Sequence, residues 1–314
     1  MGEQVAGYET RSRARLLSLQ RRRPWRRWLV QYLMVAPMAL LLVGVTIYPL
    51  ILAVRMSLLD WDATSIDHPF IGLANYQELL TQDSRFIADL LRTGVMGGAA
   101  LAIEFVAGFA LALLFLGPFP GKRILTTLLL IPMMVSPVVV GFTARMAFTT
   151  SYGFVTPVLQ AILRRPISID WLSDPNFAPA VIVLIDTWEW TPFVFLLLFA
   201  GLLALSHEPF EAARVDGATR WQTFVYITLP QMRYVILVVI LIRSLDLIKL
   251  FDTIMLATRA GPGIATEMIS PFIYDVAFQD FRFGYAAAAS LILLVAIMAI
   301  TSFVIRTLGR SVVG

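Results

Sequence analysis

Six runs of mostly apolar residues punctuate this chain, at 28–57, 91–116, 124–148, 178–205, 229–257 and 285–305. About 20 such residues carry a helix across the roughly 30 Å hydrocarbon core of a bilayer. The runs therefore predict an all-α polytopic membrane protein with six transmembrane helices. Composition agrees: 58% of the 314 residues are hydrophobic and 15% charged, with mean hydropathy +0.77, against roughly 45–50% and about 25% in soluble domains.

An even number of spans puts both termini on one side. Eight arginines (Arg11, Arg13, Arg15, Arg21, Arg22, Arg23, Arg26, Arg27) precede the first run, against Glu3 and Glu9. The positive-inside bias assigns that side to the cytoplasm. The loop 59–90 carries Asp60, Asp62, Asp67, Glu78, Asp83 and Asp89 against Arg85, as expected outside, while Lys122, Arg123, Arg306 and Arg310 fall inside. The expected organisation is a basic segment 1–27, one membrane domain 28–307 and a tail 308–314. The first run is too long for a signal-peptide h-region of roughly 7–15 residues, so a retained helix is expected. The net charge of +4 and pI near 9.6 trace to the N-terminal arginines, which face anionic lipid in this reading and argue against nucleic acid. With no cysteine, disulfides and thiolate chemistry are excluded.

Between the fourth and fifth runs lies a hydrophilic insert, 206–227, on the expected inner face. Lipid gives such a segment no stabilisation, so presenting a surface to a soluble partner is its expected role. Ser206 is placed to cap a short helix with Pro209 in its first turn, and Gly217 stands where a helix ends in a left-handed conformation. Thr219 and Gln222 form a capping-box pattern that starts a second helix, with Pro230 at the junction with the fifth run. Helical spacing sets Glu208, Glu211, Ala212 and Val215 on one stripe and Phe210, Ala213 and Arg214 on another.

With Glu211, Ala212 and Ala213, then Asp216, Gly217 and Ala218, and finally Ile227, Leu229 and Pro230, the segment resembles the EAA motif of permease subunits of binding-protein-dependent ABC importers. The resemblance extends to the carbohydrate branch of maltose and glycerol-phosphate uptake type, and to its first permease. It is carried by Phe70, Gly72, Leu73, Asn75 and Tyr76, by Trp188, Trp190, Pro192 and Phe193, and by Arg243, Asp246, Lys249, Phe251 and Asp252. Gly261, Pro262 and Thr266, then Ile273, Tyr274, Phe278, Phe283, Gly284 and Tyr285, complete it. Two places depart from it: Arg92 stands where asparagine is more frequent, and Arg259 and Ala260 replace a glycine pair. The resemblance implies a type I ABC importer permease fold in a bacterial or archaeal inner membrane. Glu211, Ala212, Ala213, Asp216, Gly217 and Ala218 would couple to an ATPase. The implied partners are a second homologous permease, two ATPase copies that bind ATP and Mg, and an extracytoplasmic sugar-binding protein.

Ionisable residues inside the spans cost about 2.5–3.5 kcal/mol each on insertion scales and mark protein interiors or wet cavities. Glu104, Arg145, Asp186, Glu189, Arg243, Asp246, Lys249 and Asp252 are such residues. The last four alternate in sign at steps of three, which pairs neighbours along one helix but spreads them over about half its circumference, so a single helix cannot turn all four to one pore. Trp188, Glu189 and Trp190 suggest a sugar site, aromatic faces packing on C–H surfaces and a carboxylate accepting from hydroxyls. The two tryptophans stand about 200° apart and cannot share one ring. Pro132, Pro137 and Pro192 each remove a helical hydrogen bond and are hinge candidates, and Gly94 with Gly98 is a small-xxx-small packing pair.

Residues 117–123, GPFPGKR, do not make a phosphate loop, which needs four residues between its glycines and Ser or Thr after Lys. His68 and His207, the two histidines, are predicted on opposite sides and give a metal site little support. A non-catalytic subunit is expected, with ATP hydrolysed in another chain. The alternatives are a secondary, ion-coupled transporter, which has no need of a docking insert, and a non-transporting scaffold.

Overall fold

The computed structural model describes residues 24–62 and 64–309. The expected basic arm through Arg23 and the tail from Arg310 lie outside the described residues. The chain divides at Arg55 and Met56 into two compact units. The described residues of the first belong to one helix, α1 (Pro24–Ser57), which ends just past the boundary and is interrupted by neither Pro37 nor Pro49. Its apolar side chains, among them Met34, Leu40 and Val45, are exposed, as befits a surface made for lipid.

The second unit is a bundle with no strand among the described residues. In chain order it contains α2 (Ala74–Thr81), α3 (Ser84–Leu114), α4 (Lys122–Leu130), a 3-10 turn (Pro132–Met134), α5 (Pro137–Phe148), α6 (Val155–Leu163) and α7 (Ala178–Leu203). Then follow α8 (Glu208–Val215), α9 (Arg220–Thr223), a wide π turn (Phe224–Thr228), α10 (Leu229–Ile248), α11 (Asp252–Ala257), α12 (Ile269–Phe278) and α13 (Phe283–Gly309).

Among the described residues five stretches are long and apolar enough to span a membrane unbroken: Gln31–Ser57, Ser84–Leu114, Ala178–Leu203, Arg220–Ile248 and Phe283–Arg306. The third expected run, 124–148, is segmented. Pro132 opens the 3-10 turn and Pro137 opens α5, so these prolines start new segments where kinks within a helix were expected. Each lacks the N–H that would continue the preceding turn. Pro192 instead sits buried inside α7, which runs through it.

α3 and α7 form the centre of the bundle. Gly108 makes their approach possible: a Cβ there would lie 2.8 Å from Val194 Cγ1 and 2.9 Å from the Phe195 nitrogen. The expected packing pair is corrected. Gly94 and Gly98 meet nothing within 4 Å in this chain and border an apolar groove between α3, α10 and α13. One end of the bundle packs Phe109, Phe115, Phe195, Leu198 and Met232 together. The other packs Leu79, Phe86, Ile269, Phe272 and Tyr285.

At that second end, polar contacts fasten the acidic loop. Asn75 Nδ2 donates to the carbonyls of Ser57 and Leu59 at 2.9 and 3.1 Å. Arg282 pairs with Glu78 at 2.9 Å, Tyr285 Oη donates to Asp83 at 2.7 Å, and Arg85 bridges Glu267 and Asp275. Arg92, where the family resemblance favours asparagine, donates to Asp89 and to the Ile264 carbonyl. Much of the acidity expected of an exterior loop is thus committed to holding it in place.

Candidate functional site: a buried ion cluster and an exposed helical pair

Arg243 on α10 lies 1% exposed, and its guanidinium reaches two other helices. Its Nε and Nη2 donate to Glu104 Oε2 and Oε1 of α3, both at 2.7 Å, and Nη2 donates to Asp186 Oδ2 of α7 at 2.7 Å. The Trp190 ring lies 4.9 Å from the Arg243 Cζ. Such a bidentate fork is the geometry in which arginine holds carboxylates most firmly. Pairing along one helix was expected of Arg243; it pairs across three, because burial at the bundle centre leaves it facing α3 and α7.

Beside this cluster is a cavity of about 180 Å³ lined by Asp186, Trp190, Arg243, Asp246, Lys249 and Asp252, with Pro137 among the remaining walls. All four alternating charges of the fifth run therefore reach one space, contrary to the single-helix expectation. The reason is a break in the backbone. α10 ends at Ile248, Lys249 to Phe251 leave helical geometry, and α11 restarts at Asp252. Ser270 Oγ donates to the Ile248 carbonyl at 2.9 Å, satisfying an acceptor that the break frees.

Glu104 stands behind Arg243, away from the cavity wall. Glu189 is 1% exposed, and its Oε2 has no partner among the described residues, nor have the buried hydroxyls of Thr187, Thr191 and Thr253. Of these residues Thr253 lines the cavity, whereas Glu189, Thr187 and Thr191 do not. Trp188 is separated from Trp190, as the 200° offset predicts. It lines an apolar cavity of about 450 Å³ with Val140, Phe148 and Ile185. Arg145, expected within the third span, lies exposed in the last turn of α5. In sequence Asp186 reads as a costly intramembrane charge but is not placed on the substrate pathway, and Thr253 is not read as a site residue. Asp186 carries a signal, standing one helical turn before Glu189 on the same face; Thr253 carries none.

At the opposite end of α10 the insert forms two short helices. α8 has its N-cap at His207 and Pro209 in its first turn, one residue later than the Ser206 cap expected. Ser206 at the cap would place Pro209, which has no N–H, where the capped donor belongs. α8 closes as a Schellman turn. Ala218 N donates to the Ala213 carbonyl at 2.9 Å, Gly217 N to the Arg214 carbonyl at 3.2 Å, and Gly217 has φ +74°. The capping box at α9 is complete: Gln222 N donates to Thr219 Oγ1 at 3.3 Å and Thr219 N to Gln222 Oε1 at 2.8 Å.

The two stripes separate except at Arg214, which is exposed although it shares a stripe with Phe210 and Ala213. Glu208, Glu211, Ala212 and Val215 are exposed, whereas Ala213 is buried against the bundle. Val215 is 88% and Trp221 72% exposed; Val215 lies on the stripe set out by spacing, whereas Trp221 is an addition that the pattern did not mark. Glu208 and Glu211 in the first turn and Arg214 in the last complement the helix dipole. Beyond α9 the π turn accommodates Pro230. The Leu229 N–H reaches back to the Phe224 carbonyl, so the helix continues past a residue that cannot donate.

The profile of the family described as binding-protein-dependent transport system inner membrane component matches residues 104–313, which include both the ion cluster and the insert. The chain belongs to this family. As a family member it is a multi-pass membrane permease, and the resemblance read from its sequence is borne out. It is 33% identical over 284 residues to the trehalose transport system permease of Mycobacterium tuberculosis, covering 90% of each chain. To the trehalose/maltose transport system permease of Thermococcus litoralis it is 31% identical over 271 residues, covering 86% of this chain and 90% of that one. Its fold is similar to a crystal structure of a bacterial ABC transporter involved in importing the acidic polysaccharide alginate. The TM-score there is 0.78 at 25% identity, covering 92% of this chain and 97% of the other. A structure of the alginate transporter in complex with its pentasaccharide-bound periplasmic protein matches at TM-score 0.76 and 25% identity, covering 91% and 95%.

Proposed function

We propose that the chain is the permease subunit of an ATP-driven sugar importer, with α8 and α9 as its coupling element. The observation that carries this is the insert itself. An ordered helical pair, closed by a Schellman turn and a capping box, exposes Glu211, Ala212, Val215 and Trp221 to water. Exposed apolar side chains grouped on an ordered element are characteristic of a protein docking surface. The docked partner is a separate ATPase that binds ATP and Mg, and Asp216, Gly217 and Ala218 set the turn against it. The insert lies on the cytoplasmic side, as do both termini.

The cavity beside Arg243 is this chain's share of the sugar pathway. At about 180 Å³ it is smaller than the roughly 300–1,000 Å³ of small-molecule sites, which favours a pathway completed by a second, homologous permease. Trp190 offers an aromatic face and Asp186, Asp246 and Asp252 offer acceptors. An exterior binding protein delivers the sugar, as the complex of the alginate transporter with its periplasmic protein illustrates. ATPase closure then rocks the helices between outward and inward access.

The test is to purify the assembly from native membranes and cross-link a cysteine placed at Val215. A cross-link to an ATP-hydrolysing chain, with sugar uptake that stops on ATP depletion, is the expected result. Uptake that survives ATP depletion and collapses with an uncoupler would instead identify a secondary carrier.

A further inference from the structure

We propose that a polar recess at the end of α5 opposite the coupling element binds an acidic sugar, one bearing a carboxylate or a similar oxyanion. The recess measures about 370 Å³ and lies between the end of α5, the turn after it, the 170–173 segment and the residues following α11. Arg145, Ser151, Asp170, Ser173 and Arg259 line it. It is distinct from the cavity beside Arg243 and faces outward in the orientation proposed above.

Three arginines at this end of the bundle, Arg85, Arg92 and Arg282, each hold a carboxylate. Arg145 and Arg259 do not: no carboxylate lies within ion-pair distance of either among the described residues, and both open into the recess. Arg259 is nevertheless fixed at its backbone. It sits at φ +52°, with its N–H donated to the Ile254 carbonyl at 3.1 Å. The segment around it is braced by the Thr258–Thr266 hydroxyl contact at 2.7 Å and by Thr266 Oγ1 donating to the Gly261 carbonyl at 2.8 Å. An anchored backbone thus carries an uncommitted guanidinium.

Two guanidinium forks in one recess match an oxyanion, which each engages through paired N–H donors. The other groups match hydroxyls. Ser151 and Ser173 have no hydrogen-bond partner among the described residues, and Asp170, engaged by Thr150 Oγ1 at 2.7 Å, keeps acceptor capacity. Asp170 accepts from ligand hydroxyls, so the set favours an oxyanion that also carries hydroxyls, as a sugar acid does, over a bare inorganic anion.

The test uses the whole transporter in phosphatidylcholine nanodiscs, without its binding protein, titrated with glucuronate and with glucose. We expect glucuronate to bind at least about tenfold more tightly than glucose, and the Arg145→Gln/Arg259→Gln variant to lose about tenfold or more of that affinity. The Arg145→Lys/Arg259→Lys variant should recover part of it. Delivery and ATP-driven uptake of the neutral cargo should persist in both variants, which separates this site from the importer reading. Equal affinity for the two sugars, or undiminished glucuronate binding in the glutamine variant, would overturn the proposal. So would phosphatidylglycerol retained by the wild type, lost by the glutamine variant and never displaced by glucuronate, which would mark a headgroup site.

Discussion

Arg243 and Glu104, 139 residues apart in sequence, meet through two parallel hydrogen bonds of 2.7 Å with both side chains essentially inaccessible. This contact fastens α10 to α3, and Asp186 draws α7 into the same knot. Removing one partner of a buried ion pair leaves an uncompensated charge and costs about 3–5 kcal/mol, whereas replacing the whole set with neutral groups of similar shape is often tolerated. Arg243→Met should therefore sharply lower the thermal unfolding midpoint of the detergent-solubilised permease. The triple change Glu104→Gln, Asp186→Asn, Arg243→Met should recover most of the loss. A triple variant no better than the single one would show that the charges contribute more than mutual neutralisation.

Glu211 lies exposed at the start of the proposed coupling element, so reversing its charge changes the proposed docking surface and leaves the fold alone. Glu211→Lys should insert and fold normally, yet abolish sugar uptake while ATP hydrolysis persists in the assembly. Wild-type uptake rates in reconstituted vesicles would refute the docking role.

Gly217 holds φ +74° with open space where a side chain would stand, so only backbone strain opposes substitution within this chain. Gly217→Val should cost roughly 1–2 kcal/mol locally. Faster amide hydrogen exchange across α8 and α9, together with reduced co-purification of the ATPase, is the expected signature.

Trp190 and Trp188 differ by two positions and line different cavities. Trp190→Ala should lower the initial uptake rate about tenfold or more, an effect of roughly 1.4 kcal/mol. Trp188→Ala should leave that rate within about twofold. Equal losses, measured with radiolabelled sugar at matched expression, would remove Trp190 from the pathway.

Gly108 and Gly98 separate packing from composition. Gly108→Ala forces a methyl group into α7 and should destabilise by about 1–3 kcal/mol. Gly98→Ala meets open space and should be neutral or gain up to about 1 kcal/mol from helix propensity. Thermal unfolding of the two variants side by side decides the point.

Most of the spans were legible because lipid imposes a length, and the insert because its caps are local patterns: Thr219 with Gln222, and Gly217 after its helix. The break after Ile248 was not. Lys249, Leu250 and Phe251 include neither proline nor glycine, and the freed carbonyl is taken by Ser270, 22 residues further on. Without that break the four charges of the fifth run fan around a cylinder; with it they converge. Likewise Arg243 could be named as a costly residue from sequence, but its choice of Glu104 and Asp186 over nearby Asp246 depends on which helices become neighbours. Gly108 gave no sign of outranking Gly94 and Gly98, since close approach is fixed by the surface opposite.

The π turn at Phe224–Thr228 lets Pro230 be absorbed without a loop, so Arg220–Ile248 forms one 29-residue helical stretch, roughly 44 Å from end to end. Under the proposed coupling role, a thrust delivered at the Arg220 end would meet no break in the helix until it has passed Arg243. The helix breaks at Lys249, on the wall of the charged chamber, so in that reading the lever would end where cargo would stand.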